Sequence, residues 1–139
     1  MGRVPLPPLA VVVSFIDCIN RGDLDGLGAL MSEDHRLIVL DEPPLVGRDA
    51  NLDAWHGYFS SFPEYVIHPR HMSVTGPRVA VVGATTGSHL ELPDQEELAL
   101  SVMWLADVQG GALSSWQVAE DTPDARRRYR VPAGSSPST

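Results

Sequence analysis

The chain of 139 residues contains no lysine; all ten of its basic residues are arginine. That excludes a Schiff-base lysine and the lysine of a phosphate-binding loop. There is one cysteine, Cys18, so there is no internal disulfide framework. Cys18 lies in an apolar stretch and reads as a small core residue. Long hydrophobic runs are also missing. Leu9–Ile16, with Arg3 before it, faintly imitates a signal peptide. Asp17 ends the run, no small-x-small cleavage site follows, and the stretch is far too short to cross a bilayer. The expectation is a cytoplasmic protein without a membrane segment. Gly-x-Ser-x-Gly, a dinucleotide fingerprint and Cys-x-x-Cys are all absent, and no cofactor is expected.

What is present suits one globular domain: 43% of the residues are hydrophobic and the net charge is −8. The charge is uneven. Residues 123–139 carry Arg126, Arg127, Arg128 and Arg130 against Asp124. The acidic remainder repels phosphate backbones, so nucleic acid is not an expected partner. The Arg cluster reads as a solvated end that could fold back onto the acidic body. The expected organisation is an N-terminal extension over 1–7, a single domain over 8–122, and an Arg/Pro/Ser-rich tail over 123–139, disordered after about Pro132.

Proline is tolerated in a first helical turn, so a helix can begin near Pro8. Leu9, Val12, Val13, Ile16 and Ile19 follow helical spacing, and Gly22 is a natural stop. Asp23 suits the N-cap of a shorter second helix carrying Leu24, Leu27, Leu30 and Met31. His35–Asp41 reads as a strand. A third helix starts at Gly47-Arg48-Asp49, presents Leu52, Trp55, Phe59 and Phe62, and stops at Pro63. The period then becomes extended: Tyr65–Val74, Arg78–Leu90, Glu97–Val108 and Ala112–Glu120, separated by short Gly/Pro breakers that join antiparallel neighbours. Three helices followed by a strand meander give an α+β fold. If the sheet curves around the helices, the result is a cone with a ligand cavity inside.

Several short segments resemble one family. Phe15-Ile16-Asp17-Cys18-Ile19-Asn20-Arg21-Gly22-Asp23-Leu24-Asp25-Gly26-Leu27 is similar to the helix–Gly-Asp-Leu-Asp–helix opening of nuclear transport factor 2-like proteins. Phe62-Pro63-Glu64 and Thr86-Gly87-Ser88-His89 resemble segments of the SnoaL-like polyketide cyclase branch, and Trp116 with Glu120-Asp121 fits the last strand. The resemblance spans about residues 8–122. It implies a cone-shaped (cystatin-like) roll, with three N-terminal helices wrapped by a strongly curved, mainly antiparallel sheet. The ketosteroid isomerase branch transfers poorly. Its helix-one tyrosine falls on Phe15, its base aspartate on Val39 and its oxyanion-hole aspartate on Met103, so that steroid mechanism is not expected.

The resemblance implies a small apolar ligand surrounded by Phe15, Val39, Trp55, Phe59, Met103 and Trp116, although these could equally be plain core. His89 is the sharpest polar candidate. In the family pattern it works with an acid near the last strand, here Asp121, and such a pair could move a proton off carbon. Period two puts His35, Leu37, Val39 and Asp41 on one strand face, which places Asp41 near the cavity mouth. With Glu64 it could form the carboxylate pair that epoxide-opening relatives use. Each acid and His89 could instead be solvated at an element end. His68 and His71 face opposite sides of a strand, so no metal site is expected. Trp104 has opposite parity to Met103 and should lie on the outer sheet face; a tryptophan does not belong in water, so the expectation is a homodimer packed there. Two functions follow: a cofactor-independent enzyme of proton-transfer chemistry (isomerisation, cyclisation, dehydration or epoxide opening), or a ligand-binding or dimerisation module without catalysis.

Overall fold

The computed structural model describes residues 6–131. Helix α1 (Pro8–Arg21) begins on a proline at its first position and ends on Gly22 at φ +64°, whose N–H reaches the carbonyls of Cys18 and Ile19. Only glycine adopts that conformation cheaply. Its buried face is Val11, Val12, Phe15, Ile16, Cys18 and Ile19, while Leu9 and Val13 are exposed. The stripe is therefore rotated from the expected one. Residues 9–13 are all apolar, so their spacing carries little phase. Helix α2 (Leu24–Leu30) is capped by Asp23, whose carboxylate accepts from the Gly26 N–H at 2.9 Å. Helix α3 (Arg48–Ser61) follows a two-residue strand that the sequence reading missed, and buries Asn51 and Trp55 one turn apart.

Six strands form one sheet: β1 (Met31–Val39), β2 (Leu45–Val46), β3 (Val66–Thr75), β4 (Arg78–Thr86), β5 (Val102–Gln109) and β6 (Ala112–Glu120), in the order β2-β1-β6-β5-β4-β3. All neighbours are antiparallel except β1 and β6, which run parallel. Helix α1 touches β3, β4, β5 and β6, because the sheet curves around it. The fold is α+β as expected. Two strand readings ran too long. The segment from Glu97 opens with a short helix, α4 (Asp94–Leu98), and β4 ends at Thr86 rather than Leu90. Pro93 and three acidic residues in the first turn favour that helix.

The sheet is buried on both faces. The inner face gives Val79, Val81, Trp104, Ala106, Val108, Leu113 and Trp116 to a core shared with α1, α2 and α3. The outer face gives Ala80, Val82, Met103 and Leu105 to a second cluster, covered by Val131, Ala125 and Tyr129. These covering residues belong to helix α5 (Pro123–Arg128) and the turn after it. Residues 123–131, expected in the tail, therefore pack on the sheet; residues 132–139 lie outside the described range. Asp121 holds α5 in place through two bonds from the Arg126 guanidinium, each 2.6 Å, and Thr122 caps it by accepting from the Ala125 N–H at 3.1 Å. Of the Arg cluster, Arg126 thus folds back on an acid of the body, while Arg127, Arg128 and Arg130 stay exposed.

Trp104 is a correction. It is 1% exposed on the inner face, and Met103 is the residue facing outward. The parity assigned to β5 was inverted. A strand covered on both faces is apolar at every position, so alternation cannot set its phase. The reason given for a dimer, a tryptophan in water, does not hold, and the chain's own C-terminal segment covers that face. Among the described residues no helix is long and apolar enough to cross a membrane.

Candidate functional site

Between the curved sheet and α3 lies an open-mouthed cavity of about 280 Å³. One wall is apolar. It comprises Leu37 and Val39 from β1, Val102 and Trp104 from β5, and Trp116 and Val118 from β6. These side chains share a face because successive inward residues are two apart. Parallel pairing sets Leu37 beside Trp116 and Val39 beside Val118. The indoles of Trp104 and Trp116 stack at 6.2 Å and 22°. Phe15 lies behind them, fully buried, 5.1 Å from Trp116 and 6.4 Å edge-on from Trp55.

The other wall mixes aromatic rings with a few polar groups. Trp55 and Tyr58 project from α3, three residues apart and so on one helix face. Tyr65 immediately precedes β3, Thr85 lies near the end of β4, and Ser88 and His89 follow it; all line the cavity. His89 sits at the mouth with its ring held on Tyr58. The phenol oxygen lies 2.9 Å from Nδ1 and accepts from the His89 backbone N–H at 3.1 Å. Both contacts use the same phenol, so Nε2 is the ring nitrogen left for a ligand. Burial raises the Tyr58 hydroxyl above the ordinary phenol value, partly offset by the bond to His89. Burial likewise pushes Tyr65 far up, helped by Tyr58 and Glu97. Both phenols are therefore neutral near pH 7.

Behind this wall lies Glu97, 1% exposed. Its Oε2 accepts a short hydrogen bond from the Thr85 hydroxyl, and its Oε1 accepts from the Ser88 N–H at 3.4 Å. Burial would raise its carboxyl, but bonds from Ser88 and Thr85 outweigh that and hold it below the usual range. Among the described residues no arginine or histidine forms an ion pair with it.

The expected site residues divide. Val39, Trp55, Trp116 and His89 line the cavity. Phe15 backs the aromatic wall, and Phe59 packs on Trp55 at 5.4 Å without lining the space. Met103 is on the opposite sheet face. The acids lie elsewhere. Asp41 is exposed in the turn after β1, and Glu64 is exposed between α3 and β3. Asp121 is committed to Arg126 and to the Ser101 hydroxyl. The expected His89–Asp121 pair is not formed; the partner of His89 is a phenol. Tyr58, Tyr65, Thr85, Ser88 and Glu97 were missed. Tyr58 was legible, standing three residues after Trp55; Glu97 was hidden inside an assumed strand. Among the described residues, no group of three or more His, Cys, Asp or Glu could hold a metal ion.

Residues 12–116 match the model of the SnoaL-like domain family. The chain belongs to it. No curated protein matches the sequence. Solved structures agree in fold. A candidate polyketide cyclase from Sinorhizobium meliloti is 20% identical, covering 82% of this chain and 95% of its own, with a TM-score of 0.67. A Xanthomonas campestris protein of unknown function with a cystatin-like fold is 14% identical over 86% and 94%, at 0.71. SalBIII, an epoxide hydrolase/cyclase-like enzyme with a role in pyran ring formation in the polyether salinomycin, is 20% identical over 84% and 92%, at 0.65.

Proposed function

We propose that the protein is an enzyme moving protons on a small, largely apolar molecule held in this cavity. The observation that carries the reading is the attachment of His89 to Tyr58 at the mouth of an otherwise greasy chamber. In this proposal Nδ1–H of His89 donates to the Tyr58 oxygen, which leaves the lone pair of Nε2 to remove a proton from a carbon next to a carbonyl. The C–H electron pair moves into the carbon skeleton and the carbonyl oxygen becomes an enolate. Neutral Tyr65 on the same wall is the candidate donor to that oxygen. The imidazolium then returns the proton to the far carbon of a conjugated enolate, or the enolate carbon attacks a second carbonyl, whose oxygen takes the proton back from the imidazolium. The first outcome is isomerisation and the second is ring closure. The catalytic residue of this reading is His89. Asp41, Glu64 and Asp121 take no part in it, because none lines the cavity. The cyclase and epoxide-opening neighbours support the class of chemistry by analogy of fold alone.

The test uses 2-tetralone, a neutral bicyclic ketone with acidic α-protons. In D2O the protein should bind it and speed loss of its α-proton NMR signals. His89→Ala should slow the catalysed exchange about a hundredfold. Binding without exchange would favour the second reading, a ligand-binding module. The predominance of apolar wall and the placement of the three acids outside it favour that alternative. The sequence grounds for a cytoplasmic setting stand as part of the proposal. Those for a homodimer through Trp104 do not.

A further inference from the structure

Glu97 is unusual in its surroundings. It projects from α4, a helix of five residues on the far side of the cavity wall, and does not line the cavity. A carboxylate sealed from water without a cation is unfavourable unless donors surround it. Here the donors come from two places. Thr85 is near the end of β4, and Ser88 belongs to the turn that follows. That turn is tightly made. Gly87 sits at φ +68°, where a Cβ would lie 2.4 Å from the Glu64 carbonyl oxygen. The Leu90 N–H donates to the Ser88 hydroxyl at 3.2 Å. Glu91 is itself left-handed at φ +54°, which a non-glycine residue adopts only when its surroundings enforce it. Between the latched Ser88 and the strained Glu91 stand His89 and Leu90, both on the cavity.

We propose that Glu97 is a positioning residue: its carboxylate fastens the Ser88–Leu90 turn to β4 and thereby sets His89 against Tyr58 at the cavity mouth. The claim rests on the catalytic reading of His89 for its consequence, but its geometry can be checked without it. Glu97 has two acceptor oxygens, one facing a hydroxyl and one facing an N–H. Alanine removes both. Glutamine can turn its oxygen to the Ser88 N–H and its amide to the Thr85 hydroxyl, which can accept as well as donate. Glu97→Gln should therefore restore what Glu97→Ala loses.

Two readouts test this. In amide hydrogen exchange, Glu97→Ala should deprotect Ser88, His89 and Leu90 while the strands β5 and β6 keep their protection, and Glu97→Gln should stay close to the parent. In the 2-tetralone assay, Glu97→Ala should lower kcat about tenfold with KM within about twofold, as expected of a misplaced rather than a missing group. Glu97→Gln should recover kcat to within about threefold. Unchanged protection of residues 88–90 in the alanine variant overturns the proposal. So does a loss of protection spread evenly over the sheet, which means a general structural role. If alanine does not fold, the glutamine variant decides: exchange at 88–90 as fast as in an unstructured loop contradicts the latch. Absence of 2-tetralone turnover in the parent removes the enzyme reading but leaves the exchange measurement to settle the role of Glu97.

Discussion

Two enclosed carboxylates stand at two corners of this molecule, and they are held in opposite ways. Asp121, where β6 meets α5, faces a guanidinium that grips both its oxygens. Glu97, where α4 meets β4, is met by the Thr85 and Ser88 hydroxyls and the Ser88 N–H, with no guanidinium of the described residues on it. Both are held below the usual carboxylate range. For Asp121 the Arg126 bond is the main cause; for Glu97 hydrogen bonds override burial. The motif-matching acid is thus spent on architecture, pinning the segment that covers the outer face. The acid with no motif stands behind the wall that carries His89. A carboxylate already satisfied by arginine is a poor proton acceptor, whatever its place in a family pattern.

The comparison breaks most visibly if Asp121 is removed. Asp121→Ala removes the two bonds that the mostly buried Arg126 guanidinium, its side chain 14% exposed, makes to this carboxylate. It should cost about 2 kcal/mol in urea unfolding at pH 7, somewhat less than a fully buried pair. Proton exchange on 2-tetralone should be spared. The same pair has a pH signature. Because the folded value of Asp121 is depressed, its contribution is complete above the unfolded carboxylate value and is lost as the pH falls below it. The gap between the parent and Asp121→Asn should therefore be widest near neutrality and close below about pH 4. His35 adds to the acid loss at higher pH. It is fully buried, its Nδ1–H donates to the Leu113 carbonyl at 2.8 Å, and burial lowers its value. Its contribution should fade as the pH drops below about 6.5, the unfolded value.

The opposite corner should respond in function rather than stability. Tyr58→Phe removes the phenol that holds His89, and should lower exchange about tenfold, or roughly 1.4 kcal/mol, with unfolding changed far less than by Asp121→Ala. The smallest effect belongs to Arg127. Its ion pair with Asp124 is exposed on both sides, and Arg127→Ala should shift the urea midpoint by less than about 0.5 kcal/mol equivalent.

How much of this was legible varies with the physics of each segment. Gly22, Asp23 and Pro63 announce helix ends by conformational necessity; α1 and α3 lie where those residues put them, and α2 starts after Asp23, although Met31, read as part of it, opens β1. His35, Leu37 and Val39 share the inner face, as period two requires. The phase of β5 was not legible. Trp104 and Met103 are both apolar and both buried, so neither face advertised itself. Nor was the outer cover, because the arginines of α5 read as solvent-loving while Ala125, Tyr129 and Val131 do the packing. At the site, His89 was found through its motif. Its partner was not, since hydrogen bonds between Tyr58 and a residue 31 positions away leave no trace in local spacing.

In the proposed reaction His89 meets the reacting carbon of a ligand lying along the tryptophan wall. A crystal structure of the protein with 2-tetralone should show the ketone in the cavity against Trp104 and Trp116, with an α-carbon about 3.5 Å from Nε2 of His89. A ligand whose carbonyl end lies among Leu37, Val39 and Val118, with His89 turned away from it, would contradict the account.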